Sequence, residues 1–279
     1  MQITEALVAQ DYNAGEIRSG KMESKLLLQG REGRPNNYRL ALTTVDDGWE
    51  APRHRHNFDQ IRLPLNDPWQ FSPKDALPAG GVGYFPEGVY YGPQKRTPGL
   101  KMLVAQFGGA SGSGFVGRDR RRAGFDALSR KGTIDKGVFT YVDAEGRRHN
   151  QDAYEALWEN LHGRKLDYPN PRYRDVILMN PAHFDWTVDA KHPGAQFRRL
   201  GTFTERELRI GFIRLAAGAS LTFGTQPAPE FVFLMSGGIE SGGRNYRPYA
   251  AAGFDPEDGP AALKAVADSE LFWVRLPRF

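Results

Sequence analysis

Cysteine is absent from the 279 residues, which excludes disulfides, thiolate metal ligands and a cysteine nucleophile. Long apolar runs are absent too. None approaches the length that spans a bilayer, and the first residues, Met1-Gln-Ile-Thr-Glu-Ala, lack the basic and apolar regions of a secretory leader. A soluble, cytoplasmic protein with no membrane partner is the expectation. No glycine-rich phosphate loop leads into a Lys-Ser or Lys-Thr pair, and there is no Gly-x-Ser-x-Gly elbow. The run Gly108-Gly-Ala-Ser-Gly-Ser-Gly114 reads as a flexible linker. A strong charge of one sign is also missing: the formal net charge is +4. The densest basic run, Arg118-Asp-Arg-Arg-Arg122, has no aromatic residues between its cations, so a solvated loop is expected there and no nucleic-acid partner.

What is present is ordinary globular material, 40% hydrophobic and 25% charged, punctuated by 32 Gly and 19 Pro. The length suits two units of roughly a hundred residues each. Residues 22 to 110 read as short strands between turns: 22–28, 38–44, 60–65, 82–85 and 100–107. Many short strands with Gly and Pro turns argue for an all-β sandwich or barrel. Residues 111 to 180 change character. They hold a candidate hairpin around 138–146 and a helix over 151–162, with Asn150 as its cap and Gly163 as its stop. Pro169-Asn-Pro171 then imposes an extended segment, and from Pro181 the strand pattern returns. The expected division is 1–112, a first barrel; 113–180, a partly helical connector; and 181–279, a second barrel.

His54 and His56 stand one residue apart between Gly48 and Gln60. On an extended segment they project to the same side, so both imidazoles reach one point, the geometry of a metal pocket. Arg62 shares the face of Gln60 if that strand is regular, and so points into the same interior. The other histidines, His149, His162, His183 and His192, show no ligand spacing.

The stretch Gly48, His54, His56, Gln60, Asp67 resembles the first cupin motif, with Gln60 in place of its glutamate and Asp67 in place of its closing glycine. Gly80, Pro86 and Gly88 resemble the second motif, with Tyr91 where its histidine stands. Gly218, Gly224, Gln226, Glu230 and Gly237 repeat the first register without the histidines, so the chain is similar to a bicupin whose second barrel is degenerate. The resemblance implies an all-β fold of two cupin (double-stranded β-helix, jelly-roll) barrels. It also implies a divalent transition metal (Fe, Ni, Cu, Mn or Zn) on His54 and His56, with Gln60 and Tyr91 completing or bordering the shell. A metal-dependent oxygenase, a dioxygenase for example, acting on a small organic molecule, an anionic one where Arg62 orients it, is the leading implication. A non-catalytic binding protein, and a metal-free isomerase using Tyr91 and His56 as acid and base, stand as alternatives. Because cupins pack barrel on barrel, a homo-oligomer is a further expectation.

Overall fold

The computed structural model describes residues 1–11 and 19–279. Two nine-stranded antiparallel sheets, each curled into a barrel, account for most of them, with a three-stranded sheet and two helices between. In the first barrel the strand Asp59–Pro64 lies between Val82–Phe85 and Lys101–Phe107, and Lys101–Phe107 continues to Tyr38–Ala51 and Gln94–Arg96. In the second, Glu230–Ser241 lies between Ala250–Phe254 and Ala261–Arg275 in the same way. The strands carrying Gln60 and Glu230 therefore occupy equivalent places.

Two strands cross the divisions expected from the sequence. Gln2–Glu5 adds to the second sheet beside Ala250–Phe254, and Ile177–Met179 adds to the first beside Val82–Phe85. Each covers an edge that would otherwise present unpaired backbone groups. The sheets are joined by a shared apolar core containing Leu28, Leu40, Leu63 and Phe107 from one and Ile210, Phe231, Phe233 and Phe272 from the other. Tyr38 stacks on Phe231 with ring centroids 5.8 Å apart. Burying such a continuous apolar face is the main force holding one barrel to the other.

The connector is more ordered than its composition suggests. The basic run expected as a loop opens helix α1, Arg118–Ser129, which buries only Gly124 and Leu128. Gly124 is needed there because a Cβ would lie 2.8 Å from Leu161 of the second helix. That helix, α2, spans Ala153–His162 and is capped by Asp152, whose carboxylate accepts from the Tyr154 and Glu155 amides. The expected start at Gln151 with an Asn150 cap is corrected. Residues Arg148–Asp152 pair with Val138–Val142, so strand runs directly into cap. The helix stops at Gly163, in the left-handed region at φ 65°. Its buried face, Tyr154 and Trp158, packs with Phe58, Phe115, Val116 and Leu166, so the connector seats on the segment that carries the two histidines.

Candidate functional site in the amino-terminal barrel

The two motif segments are stitched together by backbone. His54 and Tyr91 exchange N–H···O bonds of 3.0 Å in both directions, and the Gly88 amide donates to the His56 carbonyl at 2.8 Å. Gly88 has φ +80°, and a Cβ would lie 2.4 Å from the Pro169 carbonyl oxygen of the connector, so only glycine fits. As alternation requires, His54 and His56 turn inward while Arg55 turns outward onto Tyr90 and Tyr168. The two imidazole centroids are 4.9 Å apart, and the Tyr91 ring lies 4.6 Å from His54 and 6.1 Å from His56. His56 is further fixed by stacking on Phe58 and by the edge of Tyr154, whose hydroxyl donates to Asn57 at 2.7 Å.

Register places the polar side chains in one row across the sheet. Arg39 is opposite Gln106, and Gln106 is opposite Gln60. Arg39 Nε donates to Gln106 Oε1 at 2.8 Å, and Gln106 Nε2 donates to Gln60 Oε1 at 2.8 Å. Arg62 Nη2 also donates to Gln60 Oε1, while Gln60 Nε2 donates to the Tyr91 hydroxyl at 2.7 Å. The hydroxyl stands 3.2 Å from His54 Nε2, and His54 Nδ1 stands 2.6 Å from the Pro52 carbonyl. A carbonyl only accepts, so Nδ1 carries the proton and Nε2 presents its lone pair to Tyr91. One direction of donation thus runs from the arginines through Gln106, Gln60 and Tyr91 to His54.

All five residues singled out in the sequence, His54, His56, Gln60, Arg62 and Tyr91, therefore meet in one buried cluster. Their expected roles differ in one respect. Gln60 turns its oxygen toward Arg62 and Gln106 and its N–H toward Tyr91, so in this arrangement it presents a donor where a metal ligand would present a lone pair. His54, held at Nδ1 as metal-binding imidazoles commonly are, His56 and the Tyr91 oxygen are the donors that fit a metal. Among the described residues no three of His, Cys, Asp or Glu stand together, so a carboxylate ligand is not available to complete the set.

Residues not singled out in the sequence complete the interior. Arg96 is packed between Trp49 and Trp69, 4.4 and 5.3 Å from the ring centres, and Arg62 lies 5.7 Å from the Trp69 ring. Burial pushes both guanidinium pKa values down. The positive charge of Arg62 lowers that of Arg96 further, whereas Tyr91 raises both. Gln94 and Arg96 share a strand face just after the second motif, the same period-two signal that marks Gln60 and Arg62.

On the opposite face of the Gln60 strand, Asp59 is buried and accepts from the Tyr84 hydroxyl and the Glu87 amide, each at 2.8 Å. Burial, then the charge of Glu87, raises its pKa to about 7. Arg172 ties Glu87 to Glu205 at 3.0 and 2.7 Å. Asp59 points away from the histidines, as the alternation predicts.

No protein-family model and no curated protein matches the chain. Solved structures do. A putative dioxygenase from Nostoc punctiforme superposes with TM-score 0.63 at 13% identity, over 99% of this chain and 82% of that one. The chain has the cupin fold, built twice. The pirin YhhW of Escherichia coli in complex with nickel(II) gives TM-score 0.53 at 9% identity, over 99% of both chains. Oxalate decarboxylase of Bacillus subtilis gives 0.54 at 14%, over all of this bicupin and 77% of the other chain. At these identities the likeness is one of fold.

Proposed function

We propose that the amino-terminal barrel of this bicupin is the active centre of a metal-dependent enzyme acting on a small organic molecule, with oxygenase chemistry as its first expectation. The observation that carries the reading is the cluster of His54, His56 and Tyr91 on one buried wall, with ring centres 4.6 to 6.1 Å apart and the Tyr91 oxygen 3.2 Å from His54 Nε2. His54 and His56 would hold the ion, with Tyr91 as an oxygen donor on the third side. The ion would supply Lewis acidity and, if redox-active, access to oxygen chemistry. The protein's own part is positional. The Pro52 carbonyl sets the His54 tautomer, Gln60 orients the Tyr91 hydroxyl, and α2 with its Tyr154 limits access of water to His56. The fold's likeness to a putative dioxygenase and to proteins crystallised with nickel(II) or studied for their Mn(II) centres supports the choice.

The test is elemental analysis of protein loaded with Fe(II), Ni(II) or Mn(II) and then dialysed, alongside oxygen uptake with a panel of small acids and phenols. Stoichiometric metal that is lost on replacing both histidines by alanine, together with substrate-dependent oxygen uptake, is the expected result. A metal-free acid–base enzyme is the second reading, favoured by the 3.2 Å approach of the Tyr91 hydroxyl to His54 Nε2, a ready proton path. Turnover by metal-stripped protein selects it.

A further inference from the structure

Among the described residues, buried donors on Arg62, Arg96 and Trp69 of the amino-terminal barrel have no acceptor. Arg62, Arg96 and Trp69 are 7%, 3% and 0% exposed, yet Arg62 Nε, Arg96 Nε and Trp69 Nε1 make no hydrogen bond. Native interiors leave few such atoms, because a buried donor without a partner forfeits its hydration with nothing in return, and the cost is greater when it is charged. Two of the three are guanidinium donors beside the Trp69 indole, and the third is the indole's own N–H. The pairing of Gln70 with Lys95 sets Trp69 opposite Arg96, and both guanidinium groups lie within 6 Å of the Trp69 ring centre.

The charge is as unbalanced as the hydrogen bonding. Neither Arg62 nor Arg96 has an acidic partner among the described residues. Arg62 donates to the neutral Gln60 amide, and Arg96 Nη1 donates to Met22 Sδ, a weak acceptor, at 3.1 Å. Cation–π contact with Trp49 and Trp69 offsets only part of the desolvation. Burying two unpaired cations costs several times as much as that contact contributes. A cleft of about 440 Å³ at the rim is lined by Pro52, Pro93 and Gln94 among others, and by Gln70 and Lys95, the chain neighbours of Trp69 and Arg96; Gln94 lies two residues from Arg96 on the same strand face.

We propose that Arg62, Arg96 and Trp69 form a seat for the carboxylate of a small organic acid, placed beside Tyr91 and the two histidines. A carboxylate brings the missing negative charge and enough lone pairs to accept from both Nε–H groups and the indole N–H. The forked guanidinium is the side chain suited to it. The inference rests on reading this barrel as the ligand pocket and gives that reading its substrate class; it does not depend on which metal, if any, the histidines hold.

The experiment is calorimetric titration and thermal shift of the full chain with succinate, benzoate, benzamide and inorganic phosphate. Metal content is measured in the same preparations. The expected result is saturable binding and a raised Tm with at least one carboxylate and none with the neutral amide. Arg62→Gln and Arg96→Gln should each weaken that binding by about 10- to 100-fold, the worth of one charged hydrogen bond, with metal content unchanged. Trp69→Phe keeps an aromatic ring beside the arginines while removing the indole N–H together with the fused five-membered ring, so it stands in if either arginine variant fails to fold, and it should weaken binding several-fold. Arg96→Lys should recover part of the loss. Binding of phosphate without any carboxylate, equal binding of benzamide, or undiminished affinity in the folded variants would overturn the proposal. Loss of metal in wild type with carboxylate binding intact would instead remove the metal-dependent reading and leave this one standing.

Discussion

Where the amino-terminal barrel carries Gln60, the carboxy-terminal barrel carries Glu230, and the two are satisfied in opposite ways. Glu230 accepts from the Gly224 amide at 2.9 Å and from Trp273 Nε1 at 3.0 Å, so its carboxylate is held by two donors. The interior around it is apolar, with Ile213, Phe223, Leu234, Phe254 and Leu271 among its members. Gln60 is one link in a row of polar side chains that ends at the histidines on one side and at Arg39 and Arg62 on the other. The same strand order thus supports one finished interior and one unfinished one. Burial of polar groups is costly. Orphaned donors occur in both halves, Trp186 Nε1 and Arg198 Nε among them, but those on buried arginine and tryptophan side chains, Arg62, Arg96 and Trp69, lie in the amino-terminal barrel, and this separates the pocket from the scaffold better than the barrel shape does. The cleft of about 790 Å³ against the second barrel agrees: it runs along the outer strands by His192 and Glu270, and its Arg214 is already paired with Glu270 at 2.9 Å.

The largest expected effect tests the comparison directly. Replacing His54 and His56 together by alanine should abolish retained metal and turnover, whereas Gln226→Ala, at the matching place in the second barrel, should change neither. Equal losses would mean that the second barrel shares the chemistry. Next comes Glu230→Leu, which leaves a backbone N–H and an indole N–H buried without acceptors. A loss of about 2–6 kcal/mol in urea unfolding is expected, with metal content and carboxylate affinity in the folded fraction unaltered. A Glu230 variant that loses activity while remaining folded would contradict the division of labour.

Much of this comparison was legible in the sequence. The His54–His56 spacing and the alternation that puts Gln60 and Arg62 on one face and Asp59 on the other stand in the fold where a period of two puts them, and the Gly224–Glu230 register, read from the resemblance, falls on the strand equivalent to that of Gln60. What was not legible depends on pairing between distant segments. Arg96 and Trp69 are unremarkable in their own stretches and become neighbours only because Gln70 pairs with Lys95. The strands Gln2–Glu5 and Ile177–Met179 are too short to reveal which sheet they join. Helix α1 was hidden because its sequence is basic and buries only Gly124 and Leu128; it is held by packing on α2, not by an apolar stripe of its own.

The outward face of the Gln60 strand gives a smaller effect with a defined sign. Asp59 has a folded pKa of about 7, raised by burial and by Glu87, against 3.8 for the unstructured side chain. Tyr84, Glu87 and, at longer range, Arg172 are the groups that face it. The folded state therefore binds this proton more tightly than the unfolded state. Its stabilising contribution is fully present below about pH 4 and is lost as pH rises through 7. Asp59→Asn should gain about 2–3 kcal/mol relative to wild type between pH 5 and pH 8, measured by urea unfolding at each pH. A difference that stays constant with pH, or that shrinks as pH rises, would mean that Asp59 is ionised in the folded protein.

The smallest expected change in stability is the most discriminating for the site. Tyr91→Phe deletes one oxygen and leaves the ring against Phe85, 4.9 Å away, so packing is retained. The cost should be about 1–2 kcal/mol, since the Gln60 N–H loses its acceptor and His54 Nε2 its neighbour. If the phenol oxygen is a metal ligand, Fe(III)-loaded or Cu(II)-loaded wild type should show a phenolate charge-transfer band that the variant lacks, and metal affinity should fall. If the hydroxyl is instead the proton donor of the metal-free reading, metal content and spectrum should be indifferent to the change while turnover drops by about 10²-fold or more. Carboxylate affinity separates a third role, because Tyr91 interacts electrostatically with both Arg62 and Arg96. A loss of binding with chemistry intact would make Tyr91 part of the seat. A variant equal to wild type in metal, spectrum, turnover and affinity would reduce Tyr91 to barrel wall. The amino-terminal interior would then differ from the carboxy-terminal one only by its histidines and arginines.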